Sequence, residues 1–151
     1  MNALTVKKAA QHDFMPLMRE MVRASQPFAR RDAELLRISG SGLTVSQADV
    51  IFTLGNTSGM SCGEIGERTL ITKGTLTGVI DRLEARDLVQ RRRGEHDARC
   101  THVALTPAGE TLFEQAFPRH IAALKPHFDR LSPERRERAQ ALLAEIRAAF
   151  S

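Results

Sequence analysis

The chain has 151 residues, 42% of them hydrophobic and 26% charged, with a net charge of +4; this is the size and composition of one ordinary globular domain. Two cysteines exclude a disulfide scaffold, no apolar run reaches the roughly 18 residues of a membrane span, and the N-terminus lacks a leader's apolar core, so a cytoplasmic protein is expected. Trp and Tyr are both absent, which removes the usual stacking platforms for single-stranded nucleic acid.

In chain order, Lys7 to Ile38 comes first, with Phe14, Leu17, Met18, Met21, Val22 and Ser25 at the spacing of an amphipathic helix. Pro16 suits its first turn, whereas Pro27 is expected to kink or split it. Ser39 to Gly42 forms a break. Thr44 and Gln47 then have the spacing of a capping box, opening a helix to Leu54 that contributes Ala48, Ile51, Phe52 and Leu54. Gly55 to Gly59 ends it. Ser61 and Glu64 form a second capping box, before a short helix to Arg68 anchored by Ile65. After a turn at Thr69 to Ile71, Thr72 is positioned to cap a longer helix with Leu76, Val79, Ile80 and Leu83 on its apolar face. Asp87 is expected to close that helix, because Asp tolerates left-handed backbone better than most residues.

Leu88 to Arg93 and Thr101 to Leu105 read as two strands around a polar loop, Gly94 to Cys100. Thr106-Pro107 is a helix start, followed by Leu112, Phe113, Ala116, Phe117, Ile121 and Leu124. Pro118 and Pro126 are expected to bend or interrupt this helix. Ser132-Pro133-Glu134 starts the last one, in which Ala139, Leu142, Leu143 and Ile146 are expected to be buried.

The charge is not concentrated at the centre: the net values are +3 for 1–42, 0 for 43–105 and +1 for 106–151. Arrangement carries more than bulk charge. Helix, short helix, helix and hairpin is the order of a winged helix-turn-helix, so the class is mainly α with a small β-hairpin wing. Thr72 to Glu84 would be the recognition helix. Its apolar face docks on the two helices before it, and its other face presents Thr72, Lys73, Thr75, Thr77, Gly78 and Arg82. Small and hydroxyl residues allow close approach to a groove, and hydroxyls, Lys and a helix N-terminus suit phosphates. Arg92 and Arg93 lie on the rising strand, placed for backbone phosphates. Asp97 is spaced to orient the Arg99 guanidinium at the wing tip, where a narrow minor groove attracts arginine. The plainer alternative is a capped surface helix beside a solvated hairpin.

Over Leu43 to Gly109 the order and spacing of several motifs resemble the MarR family of bacterial transcription regulators. These are Thr75 with Arg82-Leu83-Glu84, Leu88-Val89 with Arg91, Asp97 with Arg99, and Leu105-Thr106 with Gly109. Asp87 departs from the pattern, since the family usually has Gly there; altered hairpin geometry without loss of function is expected. The resemblance implies an obligate homodimer, with 1–42 and 106–151 as dimerisation helices flanking a winged helix-turn-helix at 43–105. It implies a palindromic operator in double-stranded DNA. Thr72, Lys73, Thr75, Thr77 and Arg82 would face the major groove, and Arg99 the minor groove. It also implies a repressor released by a small-molecule effector, often an aromatic acid, in a pocket for which Met18, Phe52, Phe113 and Phe117 are candidates; a Met and Phe stripe of this kind is more often plain core.

Three other readings stay open. Cys62 follows a helix cap, a position that lowers a thiol pKa and permits a redox switch, although a small structural cysteine fits as well. His96, Cys100 and His102, or His120 and His127, lack the four-ligand spacing of a structural zinc site, so neither metal nor cofactor is expected. No hydrolase, zinc-protease or P-loop motif is present, which argues against an enzyme. A helical dimer acting only as an interaction module is the remaining class, opposed by the intact Asp97 and Arg99.

Overall fold

The computed structural model describes residues 5–69, 71–93 and 101–150. The elements are α1 (Val6–Ala10), α2 (Met15–Ile38), α3 (Val45–Leu54), β1 (Met60–Ser61), α4 (Cys62–Thr69), α5 (Lys73–Ala85), β2 (Val89–Arg93), β3 (Thr101–Leu105), α6 (Pro107–Phe128) and α7 (Pro133–Ala149). The chain divides into two compact units between Glu34 and Leu35.

The first unit is α1 and most of α2. Pro16 takes the second position of α2, where its missing N–H costs nothing. Pro27 lies inside α2 and does not split it. The proline leaves the Arg23 carbonyl without its helical partner, but Arg23 and Pro27 are both exposed, so water can serve that carbonyl. Phe14, Leu17, Met18 and Val22 are about half exposed along α2 and its N-terminal approach.

The second unit holds the core. Both expected capping boxes form. Thr44 Oγ1 accepts from Gln47 N–H while Gln47 Oε1 accepts from Thr44 N–H. Glu64 N–H donates to Ser61 Oγ at 3.3 Å, and the Ser61 N–H and hydroxyl both donate to Glu64 Oε2 at 2.8 Å. These ends fix where α3 and α4 begin. Their apolar faces then meet α5 over Val50, Ile51, Leu54, Ile65, Val79, Ile80 and Leu83, each nearly or fully buried.

Three strands, not two, form the antiparallel sheet, in the order β1-β3-β2. Strand β1 pairs Met60 with Val103 and Ser61 with His102. Two residues give no alternation to read, so this strand leaves no sequence signature. Gly59 makes it possible: its φ is +116°, and a side chain there would approach the Val103 carbonyl oxygen at 2.9 Å. Strands β2 and β3 pair in unbroken register from Val89–Leu105 to Arg93–Thr101.

The sheet is joined to α6 at a tight corner. Thr106 is the N-cap: its Oγ1 accepts from Gly109 N–H at 3.0 Å, and its hydroxyl donates to the Asp87 carbonyl at 2.5 Å. Thr106 N–H donates to the Leu88 carbonyl at 3.1 Å. A Cβ on Gly109 would lie 2.0 Å from that carbonyl oxygen. Pro107 occupies the first turn as expected, but Pro118 and Pro126 do not interrupt the helix. The carbonyls they disfavour, on Glu114 and Ala122, belong to exposed residues open to water.

Helix α7 departs from its expectation. Ser132 caps it, yet no residue of α7 is buried within the chain. Leu142 and Leu143 are about 60% exposed, and Ile146 is only half-buried. A groove of about 520 Å³ runs beside it, lined by Phe128, Leu131, Ala139 and Leu143 with Arg136 and Arg147.

Two outcomes follow from these contacts. Gly109→Ala is expected to destabilise by about 3 kcal/mol or more, because backbone must move, whereas Gly74→Ala, with nothing within 4 Å of the added methyl, should gain about 0.5–1 kcal/mol; urea denaturation measures both. The Ser61 backbone N–H, and then its hydroxyl, hold the Glu64 carboxyl below its ordinary value of 4.5. The folded form therefore gains stability that is full above pH 4.5 and disappears as pH falls through the lowered value. Glu64→Gln should thus be less stable than wild type at pH 7, with the gap in melting temperature closing toward pH 3.

Candidate nucleic-acid interface

Helix α5 buries Leu76, Val79, Ile80 and Leu83 and leaves its other side exposed. At 100° per residue the point opposite that stripe falls among Gly74, Gly78, Asp81 and Ala85. The outward ridge is therefore narrow, flanked by Lys73 and Thr77 on one edge and Thr75 and Arg82 on the other. Gly74 has open space where a side chain would be, and the Arg82 guanidinium lies over Gly78, 3.7 Å from where its Cβ would stand. Small ridge residues let a helix seat deeply in a groove.

Thr72 has N-cap backbone angles but makes no side-chain cap hydrogen bond. Its hydroxyl donates instead to Thr75 Oγ1 at 3.1 Å, so it does not occupy the N–H groups of the first turn. Thr77 donates back to the Lys73 carbonyl at 3.2 Å. Thr72, Lys73, Thr75, Thr77 and Arg82 are all exposed, and the structure brings these five together on one surface.

The arginine run divides by role. Arg91 turns toward α5, where Nη2 donates to Asp81 Oδ1 at 2.5 Å and Nη1 pairs with Glu84. Asp81 first, and then Glu84, raise its pKa further above the ordinary arginine value. Arg92 is exposed and sits opposite His102; Arg93 pairs with Thr101 at the end of the strand. Asp97 and Arg99 lie outside the described residues, as do His96 and Cys100. Arg86 is structural: Nη1 donates to the Gly42 carbonyl at 3.1 Å and to Gln47 Oε1 at 3.4 Å, tying the end of α5 to the start of α3.

Sequence reading missed the Arg91 and Arg86 contacts. Glu84 and Arg91 both fall in motifs singled out above, and Asp81 stands three residues before Glu84 on the same face. That i, i+3 carboxylate pair, set before a strand arginine, was the available signal.

Asp87 does what glycine would do. Its φ is +56°, Leu88 N–H donates to the Leu83 carbonyl at 3.0 Å, and Asp87 N–H donates to the Glu84 carbonyl at 2.9 Å. This is a complete Schellman end, with the apolar residues at its C3 and C″ positions, Leu83 and Leu88, both buried. The strands that follow pair regularly, so the aspartate leaves the ladder of the hairpin undisturbed.

Of the candidate effector residues, Phe52, Phe113 and Phe117 cluster in the second unit. Phe113 and Phe117 stack at 5.2 Å, and Phe52 meets Phe117 edge-on at 5.1 Å. Phe113 is buried in the core, where its ring covers Gly55; Phe52 and Phe117 are half-buried against it. His120 is buried with its ring 5.8 Å from that of Phe52, a neighbour that periodicity did not single out. Met18 lies in the first unit, exposed on α2. Cys62 is exposed as the first residue of α4. Among the described residues no three His, Cys, Asp or Glu side chains gather as metal ligands, and no helix is long and apolar enough to cross a membrane.

Comparison with known proteins bears on this surface directly. Residues 41–99, from the loop before α3 into the wing, match the family model for the MarR family. The transcriptional regulator MhqR of Bacillus subtilis is 29% identical over 105 residues, 70% of this chain and 72% of MhqR. The transcriptional repressor YetL of the same species is 26% identical over 110 residues, covering 72% of this chain and 66% of YetL. Among solved structures, BpsR of Bordetella bronchiseptica superposes with a TM-score of 0.70 and 27% identity, over 84% of this chain and 98% of that one. DNA binding by BpsR is regulated by 6-hydroxynicotinic acid.

Left-handed backbone costs an L-residue about 1–2 kcal/mol. Asp87→Gly should therefore raise stability by about 0.5–1 kcal/mol, and Asp87→Ala should lower it by a similar amount, both read from denaturant midpoints.

Proposed function

Given that the chain belongs to the MarR family, we propose that it is a transcriptional regulator that binds double-stranded DNA as a homodimer. The observation that carries this reading is the outward surface of α5. Its ridge is small, its edges bear hydroxyls and cations, and β2 stands next to it with Arg92 exposed. Such a helix seats in the major groove with its N-terminal half at the base edges. Lys73, Thr72, Thr75 and Thr77 meet phosphates or bases there, and Arg82 reaches along the ridge. Arg92 and Arg93 meet backbone phosphates, and Asp97 orients Arg99 in the adjacent minor groove.

A second copy covers the apolar side chains exposed on α2 and α7, among them Leu17, Val22, Leu142 and Leu143. Two-fold symmetry then makes the operator palindromic, with half-sites about one helical turn apart. The protein represses, and an effector releases it by binding the DNA-free geometry more tightly than the DNA-bound one. Regulation of BpsR by 6-hydroxynicotinic acid supports a small aromatic acid as that effector, placed against the half-buried rings of Phe52 and Phe117. The redox reading through Cys62 has its exposure in its favour.

The test is selection from a randomised 40-bp duplex library at two salt concentrations. An inverted repeat should be enriched, with affinity falling steeply as salt rises. On the selected duplex, Arg99→Ala and Lys73→Ala/Arg82→Ala should each lose at least about fivefold in affinity, with the dimer mass unchanged by sedimentation. Enrichment of no sequence would reject sequence-specific regulation.

A further inference from the structure

Arg91 turns toward α5, and what it touches there is informative. Its side chain is 30% exposed, and its two partners, Asp81 and Glu84, are 58% and 41% exposed on α5. Asp81 stands on the outward ridge itself, and Glu84 on the edge it shares with Lys73 and Thr77. Two carboxylates on that surface oppose a polyanion. Arg91 takes one oxygen of each, and its backbone N–H donates to Glu84 Oε1 at 3.4 Å.

From this geometry we infer that Arg91 is a positioning residue that acts by charge: it neutralises Asp81 and Glu84 and so makes the outward face of α5 acceptable to DNA. The inference rests on the proposed DNA-binding role of that face. Arg91 does not itself contact the phosphates; its guanidinium is spent on the two carboxylates. Arg91 thus serves the helix, not the nucleic acid.

The experiment uses the full-length protein and the duplex selected as above, with affinity measured across a salt series. R91A should bind about tenfold more weakly at low salt. Its deficit should shrink as salt screens the exposed carboxylates, which loss of a purely mechanical strut would not do. R91A/D81N/E84Q, in which no arginine is restored, should recover wild-type affinity to within about twofold. D81N/E84Q alone, which keeps Arg91, should bind at least as tightly as wild type. Recovery in the triple variant together with the salt-dependent deficit supports the inference. Overturning results are unchanged binding by R91A, equally weak binding by the triple variant, or weakened binding by D81N/E84Q. If the wild-type protein selects no duplex, the DNA-binding reading itself falls and this inference with it, an outcome distinct from any failure among the variants.

Discussion

Two backbone carbonyls just past the end of α5, those of Asp87 and Leu88, hold the second unit together at one corner. Thr106 engages both, one through its hydroxyl and one through its N–H, while the same oxygen caps α6 through Gly109. The bare α-carbon of Gly109 lets the first turn of α6 lie against the Leu88 carbonyl. A single threonine therefore closes α5, the sheet and α6 into one corner. The direction in which α5 faces outward is set from behind, by a junction that touches none of the exposed side chains.

With that corner fixed, the surface of α5 becomes a problem of charge arrangement. Net charge over 43–105 is zero, so no excess of bases attracts an anion to this region. The charges are instead sorted. Carboxylates at Asp81 and Glu84 are drawn into contact with Arg91, and Arg86 is turned inward onto Gly42 and Gln47. Lys73, Arg82 and Arg92 remain exposed. A neutral sequence can thus present a surface that differs from its composition.

The sequence was most legible where a local rule decides structure. Capping boxes at Thr44 and Ser61, the left-handed position of Asp87 and the Thr106-Pro107 start each rest on interactions within a few residues. The apolar stripe of α5 was legible for the same reason. What escaped was set by distance or by solvent. Strand β1 exists because β3 passes beside Met60 and Ser61, which no local pattern encodes. Pro27, Pro118 and Pro126 break the rule against helical prolines because the carbonyls they disfavour belong to exposed residues. Leu142 and Leu143 have core spacing, yet the chain itself does not cover them. The five exposed residues of α5 were legible as a face, whereas the division of labour among Arg86, Arg91 and Arg92 required knowing which way each strand and helix side points.

The strand order carries one more consequence. In β1-β3-β2 the strand β2 is the outer one and, among the described residues, pairs with a strand on one side only, while Arg91 N–H is taken by Glu84 Oε1. An open strand edge is a template on which other chains can add themselves, and soluble proteins blunt such edges with charge. Here the edge reads Val-Gln-Arg-Arg-Arg, with the apolar residue at the protected end beside α6 and the arginines toward the free end. A second β2 laid alongside in the same direction and register sets Arg92 against Arg92 and Arg93 against Arg93. Arg92 and Arg93, the two arginines proposed to meet phosphates, therefore also discourage strand-to-strand aggregation, and replacing them with apolar residues would put colloidal stability at stake before any question of binding arose.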